Sequence, residues 1–363
     1  MDAIWAGRSL ALWDAFTQRC VNGRGRRLRV HEPSRGRWAG AAAVGRVAAW
    51  PLSQVIWCAS AIEALEHAGQ PAVARRWQRG TGANSHPPRT QLPVHPDAEE
   101  LWTALQWYRS GEAYLDHRPR GKRYYDDNAW LGLVAAQQGL LSGQPRWWAR
   151  AAEIARFVAA GHLESGGVYW VEPGDTVNAC STGSGGLLFA ALALESPLLT
   201  EPQREAWAAR AGSTLAFLAG PLLRDDGLVA DHVRADGTVE PSVWAYNQGL
   251  LLQIAARTGD GATADAIEAA VARGLPPAVL ARQPATFACI WLRSLLAHRA
   301  LAGSDEAPEV ADYLERAWAR GRAADGLLRG VSRYDDGLVL DHVSVAGLAA
   351  AYAGGPEVWS KLL

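Results

Sequence analysis

The stretches Gly186-Leu187-Leu188-Phe189-Ala190-Ala191-Leu192, Gly249-Leu250-Leu251-Leu252-Gln253-Ile254-Ala255 and Phe287-Ala288-Cys289-Ile290-Trp291-Leu292 are apolar nearly all round a helix. A helix of that kind must be surrounded by protein. Between these segments, residues 145–161, 201–219 and 308–322 carry charge at helical spacing, as in Arg150, Glu153 and Arg156 or Glu309, Glu315, Arg316 and Arg320. One face of each therefore lies in water. Alternation of buried and half-solvated helices joined by short turns describes an all-α fold of inner and outer helices, an (α/α)6 barrel in which successive helices run antiparallel. Working outward, apolar spacing of three and four residues predicts about twelve helices: 3–20, 50–68, 97–111, 127–142, 145–161, 178–195, 201–219, 242–258, 262–274, 286–302, 308–322 and 343–354.

Length and composition bound the function. At 363 residues the chain fits one large core, and a single domain spanning 1–363 is expected. Thirty-six basic and 37 acidic residues give a net charge of -1, so no summed field exists to hold nucleic acid or an anionic membrane surface. There is no long apolar run of membrane-spanning length, and Met1-Asp2-Ala3-Ile4-Trp5 does not read as a secretory signal, from which a cytoplasmic location is expected. Cys20, Cys58, Cys180 and Cys289 are scattered in apolar contexts without metal-ligand spacing, which suits reduced packing residues. Only two lysines, Lys122 and Lys361, occur beside 34 arginines, a composition that suits a GC-rich bacterial genome. Seventeen tryptophans outnumber nine tyrosines and five phenylalanines together, and flat indole faces suit sugar rings as well as cores.

Several motifs carry weaker signals. Asp225-Asp226-Gly227-Leu228-Val229-Ala230-Asp231-His232-Val233 recurs as Asp335-Asp336-Gly337-Leu338-Val339-Leu340-Asp341-His342-Val343, which reads as a turn repeated at equivalent places in the barrel. Ser181-Thr182-Gly183-Ser184-Gly185-Gly186 lacks the Gly-Lys-Ser/Thr ending of a phosphate loop and reads as a close-packed helix start. Ser184 lacks a nucleophile elbow, and the nine histidines form no His-Glu-x-x-His array. Trp147 and Trp148 open an outer helix and read as packing residues, while residues 22–49 and 80–96 read as irregular segments.

The chemistry collects at the starts of the inner helices, which antiparallel alternation places on one rim. Trp50-Pro51-Leu52-Ser53-Gln54, Tyr124-Tyr125-Asp126-Asp127-Asn128-Ala129-Trp130, Asn178-Ala179-Cys180-Ser181-Thr182, Trp244-Ala245-Tyr246-Asn247-Gln248, Gln283-Pro284-Ala285-Thr286-Phe287 and Asp341-His342-Val343-Ser344 all stand there. Helix capping accounts for some of their polar residues but requires neither Trp-Ala-Tyr-Asn-Gln nor a tyrosine pair. Asp126 and Asp127 are the candidate catalytic residues. Helix N–H groups favour the ionised form of one carboxyl and mutual repulsion keeps the proton on the other, the division of labour that a retaining glycosidase needs. A doubled helix cap is the structural alternative. Tyr125, Asn128, Trp130, Asn178, Tyr246, Asn247 and Gln248 are the candidates for holding a sugar.

Tyr124-Tyr125-Asp126-Asp127-Asn128-Ala129-Trp130-Leu131 resembles the Asp-Asp motif of glycoside hydrolase family 76, the α-1,6-mannanases, and Trp244-Ala245-Tyr246-Asn247-Gln248-Gly249 is similar to that family's Tyr-Asn-Gln-Gly element. Order, helix context and spacing agree over roughly residues 97–303. The resemblance implies an (α/α)6 barrel, retaining hydrolysis of α-1,6-mannan or manno-oligosaccharides, Asp126 as nucleophile, Asp127 as general acid/base, and no metal or organic cofactor. Phe287-Ala288-Cys289 departs from the family's Phe-Lys-Gly, so a lysine contact near the cleft is missing. Rival readings are another toroid enzyme, a sugar epimerase or uronyl hydrolase, and a non-catalytic carbohydrate-binding protein. An epimerase would need histidine bases on the rim, where His342 alone is expected.

Overall fold

The computed structural model describes residues 2–23, 28–31, 46–67, 96–174, 176–331 and 338–363. Most of the segment 80–96 and the repeat's Asp335-Asp336-Gly337 lie outside them. The long helices are α1 (Ala3–Cys20), α2 (Ala49–His67), α3 (Ala98–Leu105), α4 (Tyr125–Ser142), α5 (Pro145–Ala160), α6 (Ala179–Glu195), α7 (Glu201–Leu218), α8 (Ala245–Thr258), α9 (Gly261–Gly274), then, after the single turn α10 (Pro277–Leu280), α11 (Ala285–Leu301), α12 (Pro308–Gly321) and α13 (Leu338–Gly354), with α14 (Pro356–Trp359) closing the chain. The expected helices are all present. The two single turns are the additions, and α3 is shorter than expected because its last turn tightens into a 3₁₀ turn at Gln106–Tyr108.

The inner ring is α2, α4, α6, α8, α11 and α13; each packs on the next, and α13 packs on α2 to close it. Outside, α1 lies on α13, α3 on α2, α5 on α4, α7 on α6 and α9 on α8. The apolar stretches that predicted inner helices are buried throughout: Leu187, Leu188 and Phe189, and likewise Leu250, Leu251 and Leu252, are at most 1% exposed. Their small residues let helices approach. A Cβ on Gly183 would meet Leu250 Cβ at 2.7 Å and one on Gly186 would meet Thr214 Oγ1 at 2.2 Å, so the glycine run at the start of α6 is packing, as expected. Trp147 and Trp148 are buried core residues.

Short β elements occupy the connections: the antiparallel pair β1 (Val21–Asn22) and β2 (Arg29–Val30), the hairpin β3 (Arg109–Ser110) with β4 (Ala113–Tyr114), and a three-stranded antiparallel sheet of β5 (Val177–Asn178), β6 (His232–Val233) and β7 (Val239–Glu240). They escape period-two patterning because each has two residues. Four connections share one plan. An outer helix ends in a tight hairpin, and the residue facing away from that hairpin is bonded by a side chain in the first turns of the next inner helix. Asn128 accepts from Tyr114 N–H at 2.8 Å and donates to its carbonyl at 3.0 Å. Gln248 accepts from Val229 N–H at 2.7 Å and donates to its carbonyl at 3.0 Å. On α6 the task is divided, Thr182 Oγ1 accepting from Val168 N–H and Ser181 Oγ donating to the Val168 carbonyl. His342 Nδ1 accepts from Leu328 N–H at 2.9 Å.

This plan corrects the repeat. Asp225-Asp226-Gly227 is indeed a hairpin turn, with Gly227 at φ 82°, but its spatial counterpart is Ala324-Asp325-Gly326, where Gly326 has φ 83°. Leu338–Val343 is already helical, whereas Leu228–Val233 is turn and strand. Identity of letters aligned the wrong segments, because equivalence is set by which hairpin residue the next helix clamps, Val229 by Gln248 and Leu328 by His342. For the same reason α13 begins before Asp341-His342, which are interior to the helix rather than its cap.

Asn128→Ala leaves two buried backbone groups of Tyr114 without partners and should cost about 3 kcal/mol, read from the shift of a urea unfolding curve. A loss under about 0.5 kcal/mol, the range of ordinary surface changes, would mean that the clamp does not hold the hairpin.

Candidate active site

The starts of the inner helices converge on one cavity of about 710 Å³. Asp126 and Asp127 lie on its floor with Trp130, Cys180 and Tyr246; Trp50, Tyr124, Trp170, Trp244 and Phe287 form aromatic walls, and Asp116, Asn178, Asp231 and His232 add polar groups. A helical register explains who lines it. Trp50, Asp126, Cys180 and Tyr246 are each the second residue of their helix, and Asn128, Thr182 and Gln248 are fourth. Two residues are 200° apart on an α-helix, so when the fourth faces the hairpin outside, the second faces the cavity. Leu340 keeps the same offset from His342 and also lines the cavity. On α11 the lining residue is instead the third, Phe287.

Of the nine sequence candidates, five line the cavity: Asp126, Asp127, Trp130, Asn178 and Tyr246. Four do not. Asn128 and Gln248 are fully buried and consumed by the hairpin clamps. Tyr125, the first residue of α4, turns outward and stacks on Phe157 with ring centroids 4.8 Å apart. Asn247 is fully buried and neither polar atom of its side chain finds a partner among the described residues. The doubled-cap alternative for Asp126-Asp127 fails, since Tyr124 holds the cap position and the acids are inside the helix. His342 is not a rim base: it is fully buried, with Nε2 2.9 Å from the Leu12 carbonyl.

Sequence reading missed Trp170, Asp116 and the Asp231–His232 pair. Trp170 sits on the connection between α5 and α6, where Tyr125 N–H donates to its carbonyl and its ring lies 5.1 Å from Tyr124. Its indole N–H donates to Asp126 Oδ2 at 3.2 Å. Asp231 and His232, read only as part of a repeat, stand at and beside β6, with Asp231 Oδ2 2.9 Å from His232 Nδ1.

The two floor carboxyls are treated differently by their surroundings. Burial pushes Asp126 above the usual carboxylate range, while Cys180, the Asp127 backbone N–H and Trp170 counter it by hydrogen bonding to the ionised form. Burial raises Asp127 well above the usual carboxylate range, and the negative charges of Asp126 and Asp116 raise it further. One proton is therefore retained on Asp127 under conditions where Asp126 is ionised, and the pair titrates as a unit. Asp126 Oδ1 is buried with no hydrogen-bond partner among the described residues. An ionised carboxylate beside a neutral carboxylic acid, walled by aromatic faces, can attack an electrophilic carbon and protonate a leaving oxygen in one site.

With that geometry in hand, comparison with known proteins gives a class. The sequence model of glycosyl hydrolase family 76 matches residues 69–258, and the chain belongs to that family. No curated protein matches it by sequence. Solved structures share its α/α toroid. A family 76 mannosidase from Bacteroides thetaiotaomicron superposes with a TM-score of 0.77 at 18% identity, covering 97% of this chain and 98% of that one. The inactive variant of an α-1,6-mannanase from Salegentibacter, solved with α-1,6-mannotriose, gives 0.68 at 14% identity over 96% of this chain and 99% of that one. A Listeria innocua protein, Lin0763, gives 0.69 at 13% identity over 96% of each chain. Among the described residues no helix is long and apolar enough to cross a membrane.

The raised Asp127 makes a stability prediction. A carboxyl that keeps its proton in the fold but loses it when unfolded binds more protons folded, so stability falls as pH rises from the unfolded value near ~4. Asp127→Asn should therefore melt above the wild type at pH 7, with the gap closing as pH falls to ~4. A variant that melts at or below the wild type at both pH values would contradict the assigned proton.

Proposed function

We propose that the chain is a retaining α-mannosidase acting on α-1,6-linked mannan or manno-oligosaccharides, with Asp126 as nucleophile and Asp127 as general acid/base. The observation that carries this reading is the unequal treatment of two adjacent carboxyls on the floor of an aromatic cleft. Family membership supports it, as does the Salegentibacter α-1,6-mannanase, whose inactive form has two successive aspartates replaced and holds α-1,6-mannotriose. The closed inner ring, in which α13 must meet α2, supports one catalytic domain over 1–363.

In the proposed cycle Asp126 attacks the anomeric carbon while Asp127 gives its proton to the departing glycosidic oxygen, producing a β-linked mannosyl-enzyme. Esterification neutralises Asp126 and removes the repulsion within the pair, so Asp127, now ionised, acts as the base and takes a proton from the water that releases the sugar with its α-configuration restored. Trp170 keeps Asp126 ionised through its indole N–H, and its ring, 39% exposed, offers a face to an adjoining sugar. Trp50, Trp244 and Phe287 offer aromatic surface on the opposite wall, Trp244 and Phe287 meeting edge to face with centroids 5.6 Å apart.

Products released from α-1,6-mannan and from short α-mannosides test the reading directly; absence of hydrolysis with retained mannan binding would instead favour a binding protein. Asp126→Asn should lower kcat by at least about 10³-fold, while Asp127→Ala should lower it about 10²–10⁴-fold on poor leaving groups and much less on an activated aryl mannoside. Azide should rescue Asp127→Ala and give the α-mannosyl azide. A β-azide, or full activity in Asp126→Asn, would reverse the assignment.

A further inference from the structure

Between the two motifs that mark the family stands a side chain that neither contains. Cys180, second residue of α6, places Sγ 3.4 Å from Asp126 Oδ2, beside the Trp170 indole N–H on the same oxygen. Tyr246, the second residue of α8, lines the same cavity. We propose that Cys180 is a positioning residue for Asp126: its thiol donates a hydrogen bond to Oδ2 and, together with the Trp170 indole N–H, holds the carboxylate in the orientation from which it attacks. The proposal rests on the reading of Asp126 as nucleophile.

The directions of the bonds follow from the charges around them. The groups facing this point are Asp127 on α4, Asp116 in the segment before it, Asp231 and His232 at β6, and Tyr246 on α8. Arg293 is on the far side of Trp130, 5.0 Å from that ring. Burial, with Asp126 and Asp231 nearby, holds the thiol far above its ordinary range, so the sulfur keeps its proton and can only give it toward Asp126. Tyr246, also raised by burial, keeps its proton. Two donors on Oδ2 fix the rotation of the carboxylate about its Cβ–Cγ bond. A thiol is a weak donor. It fixes the carboxylate's orientation and lowers its proton affinity, and a hydroxyl at the same place would lower it further.

Two measurements test this. In the infrared spectrum the Cys180 S–H stretch, identified as the band lost in Cys180→Ala, should lie below that of a free thiol and move toward it in Asp126→Ala; this reading needs no turnover. In kinetics on an activated aryl α-mannoside, Cys180→Ala should lower kcat about tenfold, with KM changed less, and raise the acid limb of the pH profile by about one unit. Cys180→Ser, a stronger donor, should move that limb the other way. An S–H band at the free-thiol position that ignores Asp126→Ala, or acid limbs that superimpose in all three proteins, would overturn the proposal. If the S–H band responds to Asp126→Ala but Asp126→Asn retains full activity, the nucleophile assignment fails while the hydrogen bond stands.

Discussion

Everything in the barrel depends on a side chain that reaches backwards. A hairpin between an outer and an inner helix has, at the residue facing away from its own pairing, an N–H and a C=O that burial would leave unpaired, at a cost of about 1–3 kcal/mol each. Asn128, Gln248, the Ser181–Thr182 pair and, for the N–H alone, His342 each meet that demand. The bond does more than satisfy a donor. It stops the inner helix from rotating about its axis, and a helix that cannot rotate presents a fixed second residue to the central cavity. Catalytic geometry is thus inherited from backbone hydrogen bonding outside the ring.

The fold was legible in the sequence because its signal is redundant. Leu187 to Leu192 or Leu250 to Ile254 cannot be a solvent-facing helix, and Arg150, Glu153 and Arg156 cannot be a buried one; with six such alternations, small errors at the ends do not matter. The cleft was legible in its acids, which stand in sequence as Asp126-Asp127 and in space on the floor. What failed was the assumption that every polar residue in the first turns faces the ligand. Asn128 and Gln248 look like sugar-binding amides by composition, and they are clamps. Tyr125 looks like half of a stacking pair with Tyr124, and it is core. No local pattern separates these cases, since the distinction is an angle about the helix axis fixed by a hairpin 14 or 19 residues earlier. Trp170, Asp116 and Asp231 came from connections, where register is set by tertiary pairing rather than by periodicity.

The site runs against the stability of the structure that holds it. Two carboxyls crowd together with Asp116 near them, Asp126 keeps an unbonded buried oxygen, and Asn247 is buried without partners. Elsewhere the ring is conventional: Trp57 Nε1 donates to Gln137 at 2.9 Å, and Gln138 donates to Ser60 and Glu63 across α2 and α4. An unmet buried oxygen on a residue that lines a cavity is the usual mark of a group kept ready for a ligand rather than for the fold.

The separation between second and fourth positions also bears on ancestry. Because the residue that faces the cavity and the residue that secures the hairpin lie on opposite sides of each helix, a codon at one can change without disturbing the other. Trp50, Asp126, Cys180, Tyr246 and Leu340 form a short alphabet written around a rim, and the scaffold reads the same whichever letters stand there. A lineage built on such a ring can keep its shape while the letters around the rim are rewritten, at pairwise identities as low as the 13–18% that separate this chain from structures sharing its shape.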